Sequence, residues 1–244
     1  MPNSYFQFKQ FTIHQDRCAM KVTTDACLFG AWMADEINNE ELKINNCLDI
    51  GTGTGLLSLM LAQKNLEVGI TGVEIDEDAG KQANENFNAS LWKDRIDILK
   101  GDVKEYDFPE KFDLIISNPP FYERELRSES EKKNLAHHSE NLTLGELLSI
   151  IKKYLNPGGF FFLLLPYKRN EEIKKLLKNH ELNISKILFV RQSVKHDYFR
   201  IMLKGKLSEQ GNVETEFNEM SIRDDSQQYT NEFKQLLKDY YLHL

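Results

Sequence analysis

Cysteine is scarce in this chain: Cys18, Cys27 and Cys47 are the only three, an odd number with no CxxC spacing. A disulfide framework and a zinc knuckle are therefore not expected, and a reducing compartment, the cytoplasm, is. Long hydrophobic runs are absent too; none approaches the ~18 residues that cross a bilayer. The opening MPNSYFQFKQF has no basic stretch followed by an apolar one, so no secretion signal is read there. No low-complexity tract, internal repeat or linker breaks the 244 residues, and one domain with a proper core is expected. An excess of positive charge is also lacking: the formal net charge is −7, which weighs mildly against a polyanionic partner.

The charge is unevenly spread, however. Residues 186–206 carry six bases (Lys186, Arg191, Lys195, Arg200, Lys204 and Lys206) against one acid, Asp197, a local +5. Residues 207–244 carry eight acids against three bases, a local −5. A basic face can bind phosphate whatever the global sign, and charge alone leaves a merely solvated face equally open.

What is present is an alternation of short β-rich apolar runs with helical patterns, as in parallel βαβ units. Strands are expected at CLDI (47–50), GITGVEI (69–75), RIDIL (95–99), DLIIS (113–117) and FFFLLLP (160–166), with helices at 56–64, 77–89, 144–155 and 171–178. NPGG (156–159) reads as a helix stop and turn. ISKILFV (184–190) and YFRIMLKG (198–205) read as an antiparallel hairpin closing the sheet. The expected fold is α/β: a mostly parallel, seven-stranded sheet with helices on both faces. Residues 46–206 form its core. Residues 1–45, with a helix over 24–36, are an N-terminal extension, and residues 207–244 add a strand and an amphipathic helix. Ligands of such open sheets sit at the carboxyl ends of the strands.

Three acids follow three successive strands. After the first comes DIGTGTGLL, where Gly51, Gly53 and Gly55 allow a tight turn and close backbone approach at a helix N-terminus. A P-loop needs GK[ST] there, and Leu56-Leu57 follow instead; the dinucleotide fingerprint needs a small residue where Leu56 stands. Glu74 ends the second strand, 21 residues after Gly53, where an acid can accept from both ribose hydroxyls of a nucleoside. Asp102 follows the third and can accept from an adenine amine. A single acid there is as often a helix cap, but three in series carry more weight.

The fourth strand runs into Asn118-Pro119-Pro120-Phe121. Two prolines fix φ and make a stiff corner, presenting an amide and a ring at a set spacing. An exocyclic amine on adenine is a poor nucleophile because its lone pair is delocalised into the ring. Acceptors at Asn118 Oδ1 and the Pro119 carbonyl can hold its two hydrogens and favour the pyramidal nitrogen. Phe121 offers a face on which an extruded base can stack. Beyond the corner, residues 122–142 read as a long charged target-side loop. Its adjacent His137 and His138 point apart, and no metal site is expected.

The acid followed by GxGxG resembles the cofactor loop of class I S-adenosylmethionine-dependent methyltransferases, and NPPF resembles the corner of those acting on planar nitrogens. With FKQFTIHQDRCAMKVTTDACLFGAW, VEID, QANEN and SLWKDRI, the chain closely resembles the bacterial tRNA1(Val) adenine N6-methyltransferases, over nearly its whole length but weakening after about Lys206. Thr23 and Ala26 stand where that family often has glycine. The resemblance implies a Rossmann-like class I methyltransferase, S-adenosyl-L-methionine as cofactor, and the adenosine 3′ of the anticodon as target. It implies that Asp49 and the loop backbone face the cofactor's methionine moiety, and that Lys21 to Asp25, Thr24 included, pack on its methionine end. Thr24 or Asp25 can also cap the following helix. The partner expected is a tRNA anticodon stem-loop met by Lys9, Arg17, Arg191, Lys195 and Arg200, the enzyme acting as a monomer without metal or membrane. Other readings of the same residues are an adenine-N6 DNA or rRNA methyltransferase, a glutamine-N5 protein methyltransferase, an NAD(P)-linked oxidoreductase, or a non-catalytic RNA-binding protein.

Overall fold

The computed structural model describes residues 3–40, 43–119, 142–208 and 214–244. In chain order its elements are β1 (Tyr5–Gln7), β2 (Thr12–His14), α1 (Thr24–Asn38), β3 (Asn46–Ile50), α2 (Leu56–Lys64), β4 (Gly69–Glu74), α3 (Glu77–Asn88), β5 (Ile96–Lys100), β6 (Phe112–Ser117), α4 (Leu144–Tyr154), β7 (Leu155–Pro166), α5 (Asn170–Asn179), β8 (Leu182–Ser193), β9 (Tyr198–Leu207), β10 (Glu216–Arg223) and α6 (Asn231–Leu237). Strands β3 to β10 form one sheet in the order β10-β8-β9-β7-β6-β3-β4-β5. All neighbours are parallel except β9, which runs antiparallel to both β7 and β8. Apolar side chains on both faces of the central strands demand cover on both sides. Helices α1, α2, α3 and α6 pack on one face and α4 and α5 on the other.

The chain winds outward from β3 to β5 and then returns to lay β6 on the other side of β3. That reversal leaves a crevice between the carboxyl ends of β3 and β6, where open α/β sheets bind their ligands.

The sheet has eight strands rather than the seven expected, because the tail strand β10 pairs in parallel with β8 and extends the edge. The NPGG stretch lies inside β7 rather than in a turn before it: Gly158 takes φ +83° and the pairing with β6 shifts register between Phe112 and Leu114. A bulge absorbs the breaker residues without ending the strand. The hairpin of β1 and β2 was not anticipated; three-residue strands give too little alternation to read. Its Phe8 bridges to Tyr241 near the carboxyl terminus, and Tyr240 donates to the Met60 carbonyl of α2 at 2.9 Å, so the two additions pack together on the core. Among the described residues no helix is long and apolar enough to cross a membrane.

Candidate active site

The turn after β3 is built around a buried carboxylate. Asp49 is fully buried, and its Oδ2 accepts hydrogen bonds from Thr52 Oγ1 and Ser58 Oγ, both at 2.7 Å. Its Oδ1 is buried with no partner among the described residues. Gly51 and Gly53 have φ of +71° and +56°, and a Cβ built on either would project into open space. Gly55, at φ +82°, is pressed against Phe87. The loop thus leaves bare backbone facing the crevice, with an orphaned acceptor beneath it.

Neighbouring strand ends are laced to this loop. Glu74 Oε2 accepts from the Gly53 amide at 2.8 Å, and Oε1 from the Asp76 amide at 3.0 Å. The Gly101 amide donates to the Glu74 carbonyl at 2.8 Å, which ties β5 to β4. Asp102 lies just beyond, caps the short turn after β5 through the Lys104 amide at 2.9 Å, and pairs with Lys104 Nζ at 3.3 Å. Its carboxylate therefore already serves the capping role that competed with cofactor binding. On the other side of the crevice, Ser117 Oγ donates to the Ile50 carbonyl at 2.7 Å. This bond joins the last residue of β6 to the last of β3, and so sets Asn118 beside the glycine loop. Asn118 is half-buried and Pro119 buried. Phe121, the charged loop over 122–141, and His137-His138 lie outside the described residues. Among the described residues no cluster of His, Cys, Asp and Glu could hold a metal ion.

The N-terminal segment covers the crevice beside Glu74. Burial, with the Glu74 carboxylate close by, pushes the Cys18 thiol up to about 11. All three cysteines are buried and free. Lys21 Nζ donates to the Gln15 carbonyl, and Gln15 Oε1 accepts from the Val22 amide at 2.7 Å. Thr23, not Thr24 or Asp25, caps α1, its Oγ1 accepting from Ala26 N at 3.4 Å. Thr24 is left exposed in the first turn, and Asp25 instead binds Arg200 Nε at 2.7 Å.

Two buried amides on α3, absent from the expected site, hold this arrangement together. Asn86 Oδ1 accepts from the His14 amide at 2.9 Å, while its Nδ2 donates to the carbonyls of His14 at 2.9 Å and Thr54 at 2.8 Å. One side chain thus joins the N-terminal segment to the glycine loop. Gln82, one turn earlier, accepts from the Arg17 amide at 3.3 Å. The signal was in QANEN: two amides four residues apart on the apolar side of a helix, where burial demands partners.

The basic segment over 186–206 does not form one cationic face. Alternation along β9 sends Arg200 and Lys204 toward α1. Arg200 pairs with Asp25 there. Lys204 is buried and meets Glu36 at 3.1 Å and also Glu40. Lys186 meets Glu36 at 2.8 Å and Glu216 at 3.1 Å. Arg191 donates through Nε to Ser221 Oγ at 2.7 Å. Lys195 is exposed, with Asp225 at 3.6 Å. Lys9 is also displaced from the expected RNA path: it donates to the Lys238 carbonyl, beside the pair of Asp239 with Lys64 at the far end of α2. Arg17 remains near the crevice but pairs with Glu85 at 2.8 Å. Lys204→Ala should leave Glu40 without its cation and Glu36 with Lys186 alone in a half-buried site, and a loss on the order of 3 kcal/mol is expected in denaturant unfolding.

A family model described as the methyltransferase small domain matches residues 30–185. A tRNA1(Val) (adenine(37)-N6)-methyltransferase of Bacteroides thetaiotaomicron is 38% identical over 245 residues, 100% of both chains. Its counterpart in Dyadobacter fermentans is 39% identical over 98% of both chains, and that of Proteus mirabilis 35% identical over 98% of this chain and 94% of its own. The chain belongs to the tRNA1(Val) (adenine(37)-N6)-methyltransferase family. Its members' fold recurs at low identity. A predicted O-methyltransferase of Agrobacterium tumefaciens has a TM-score of 0.63 at 14% identity, covering 88% of this chain and 96% of its own. An S-adenosylmethionine-dependent methyltransferase of Clostridium acetobutylicum gives 0.56 at 15%, covering 78% and 94%.

As a member of this methyltransferase family the chain is an S-adenosylmethionine-dependent enzyme, and its crevice fits that cofactor. The bare backbone at Gly51 and Gly53 leaves room for it, and the orphaned Asp49 Oδ1 can accept from its amino group. Burial pushes the Asp49 carboxyl from its ordinary 3.8 up to about 6. A raised carboxyl favours the fold most below the unfolded value, and that contribution is lost as pH rises through about 6. A bound cationic amine reverses the preference and favours the carboxylate. Affinity for S-adenosylhomocysteine should therefore strengthen from about pH 5 to about pH 7, approaching tenfold per unit on the acid side. Calorimetric titration across that range checks it, and Asp49→Asn should flatten the profile.

Proposed function

We propose that this chain methylates N6 of the adenosine 3′ of the anticodon, adenosine-37, in tRNA1(Val), and that it grips the anticodon stem-loop to do so. The observation that carries this reading is the Asn118-Pro119 corner, locked through Ser117 to the end of β3 beside an empty-backbone glycine loop. S-adenosylmethionine supplies an electrophilic methyl group on a sulfonium centre. The chain's own residues do the rest. Asn118 Oδ1 and the Pro119 carbonyl accept the two amine hydrogens, which holds the nitrogen pyramidal and restores its lone pair as a nucleophile. The Pro-Pro corner keeps both acceptors at fixed spacing, so no reorganisation is needed at the moment of reaction. Once alkylated, the nitrogen is acidic and sheds its proton without a strong base.

Glu74 holds the ribose hydroxyls, and Asp102 lies where it can receive the adenine amine of the cofactor if Lys104 yields it. On this reading Lys21 and Thr24 serve the methionine end of the cofactor, and Phe121 supplies the stacking face for the target base. Of the expected RNA contacts, Lys195 and Arg191 support the reading best, because β8 runs in the same direction as β7, with β9 between them, and ends at the same carboxyl edge of the sheet. The same corner chemistry suits adenine in DNA or a glutamine side chain. Label transfer from radioactive S-adenosylmethionine into total RNA, DNA and protein of cells lacking this protein separates them. Label in RNA alone, recovered as N6-methyladenosine, is expected; label in DNA or protein would sink the reading.

A further inference from the structure

Four aromatic rings form a connected row on the sheet face that α4 and α5 cover elsewhere. Tyr167, just after β7, contacts Tyr198 at the start of β9, with ring centroids 5.2 Å apart. Tyr198 contacts Phe189 of β8 at 5.5 Å. Phe189 lies parallel to Phe217 of β10, at 6.3 Å and 10° between planes. Strand register fixes where the row lies. Ser117, the residue before Asn118, is level with Leu163, Leu203, Ile187 and Phe217 on successive strands. Phe189 stands two residues further toward the carboxyl end, and Tyr198 is opposite Arg191. The row therefore begins one strand away from the Asn118 corner and runs outward to the sheet edge at the same end of the molecule.

Tyr167 and Phe189 rest one side on the core and Tyr198 is half-buried, whereas the outermost ring is open to solvent. Phe217 is 60% exposed on an edge strand, a position that proteins usually guard with charge. Beside the row, the Arg191 guanidinium lies 5.6 Å from the Tyr198 ring centre. The Tyr198 hydroxyl is held by Glu219, which raises its pKa. One base and one acid leave the patch nearly neutral, so any partner must be bound by ring faces rather than drawn by charge.

We propose that this row is a stacking platform for single-stranded RNA, taking nucleotides that flank the target adenosine. It rests on the reading that the substrate is tRNA, and it names where the rest of the loop goes when the target base enters the crevice. Turning a base out of a loop unstacks its neighbours, and these need new faces. A row of contacting rings that starts beside the catalytic corner offers those faces to any base sequence. A protein partner would have no reason to begin where the target base must sit.

Steady-state kinetics on a tRNA transcript test this, with Phe217→Ala and Tyr167→Ala as the variants. KM for tRNA should rise roughly five- to hundredfold for each ring removed, while kcat and S-adenosylhomocysteine affinity hold within about twofold. Because stacking and not phosphate contact is lost, the log–log salt slope of binding should be unchanged. Phe217→Trp, which keeps a ring at an exposed position, should restore KM. An unmoved KM in both alanine variants overturns the proposal, and a changed oligomeric state alongside it would assign the row to a contact between copies. A wild type that does not methylate tRNA overturns the substrate reading and the platform together, whereas an active wild type with unmoved variants overturns the platform alone.

Discussion

Asn118→Ala should cut methyl transfer by roughly 10²- to 10³-fold or more, the scale seen when one preorganised polar group at a reacting centre is removed. Cofactor affinity should stay within a few-fold. Asn118 lies beyond the last bond that ties β6 to β3, the one from Ser117 to Ile50, so its removal leaves the glycine loop untouched. Asp49, Thr52 and Ser58 form their own cluster without it. Calorimetry with S-adenosylhomocysteine, set against single-turnover methylation, separates the two effects. A large loss of cofactor binding would mean that Asn118 serves the cofactor and not the target amine. Asn118→Asp keeps an acceptor and should retain more activity than alanine.

Glu74→Ala should do the opposite. Its carboxylate has two duties: it can accept from the ribose hydroxyls, and it already holds the Gly53 and Asp76 amides at 2.8 and 3.0 Å. Charge-assisted hydrogen bonds contribute about 1.5–3 kcal/mol each, so cofactor affinity should fall roughly tenfold to a few hundredfold. Turnover at saturating cofactor should fall less, since the Asn118 corner hangs from β6. Glu74→Gln keeps one acceptor oxygen and should lie between the two. If cofactor affinity survives the alanine change, the second strand's acid is only a loop tether.

The acids and glycines at the strand ends were legible in the sequence because the fold places them by topology. A strand of known direction puts its last residue at the carboxyl edge, whatever the packing elsewhere. Helix α2 was read with its observed bounds, 56–64, since the glycine loop fixes its start. The basic segment misled for the opposite reason. Charge counted along a chain ignores which way each side chain points, and alternation put Arg200 and Lys204 against the acids of α1. Those partners, Asp25 and Glu36, are more than 160 residues away in sequence, as the separations of 175 and 168 state. Asn86 stands out in the sequence only within QANEN. Its role depends on two backbone segments, at His14 and Thr54, that no local pattern brings together. The eighth strand was visible as alternation in the tail, but its partner β8 and parallel direction came only with the sheet.

The most direct measurement is incubation of the purified protein with unmodified tRNA1(Val) transcript and S-adenosylmethionine, followed by nuclease digestion and mass spectrometry of the fragments. One methyl group on N6 of the adenosine 3′ of the anticodon is expected, with none when that adenosine is replaced by guanosine and none with Asn118→Ala. Methylation elsewhere in the transcript, or equal activity on the guanosine-substituted one, would contradict the assignment of the Asn118 corner to that adenine.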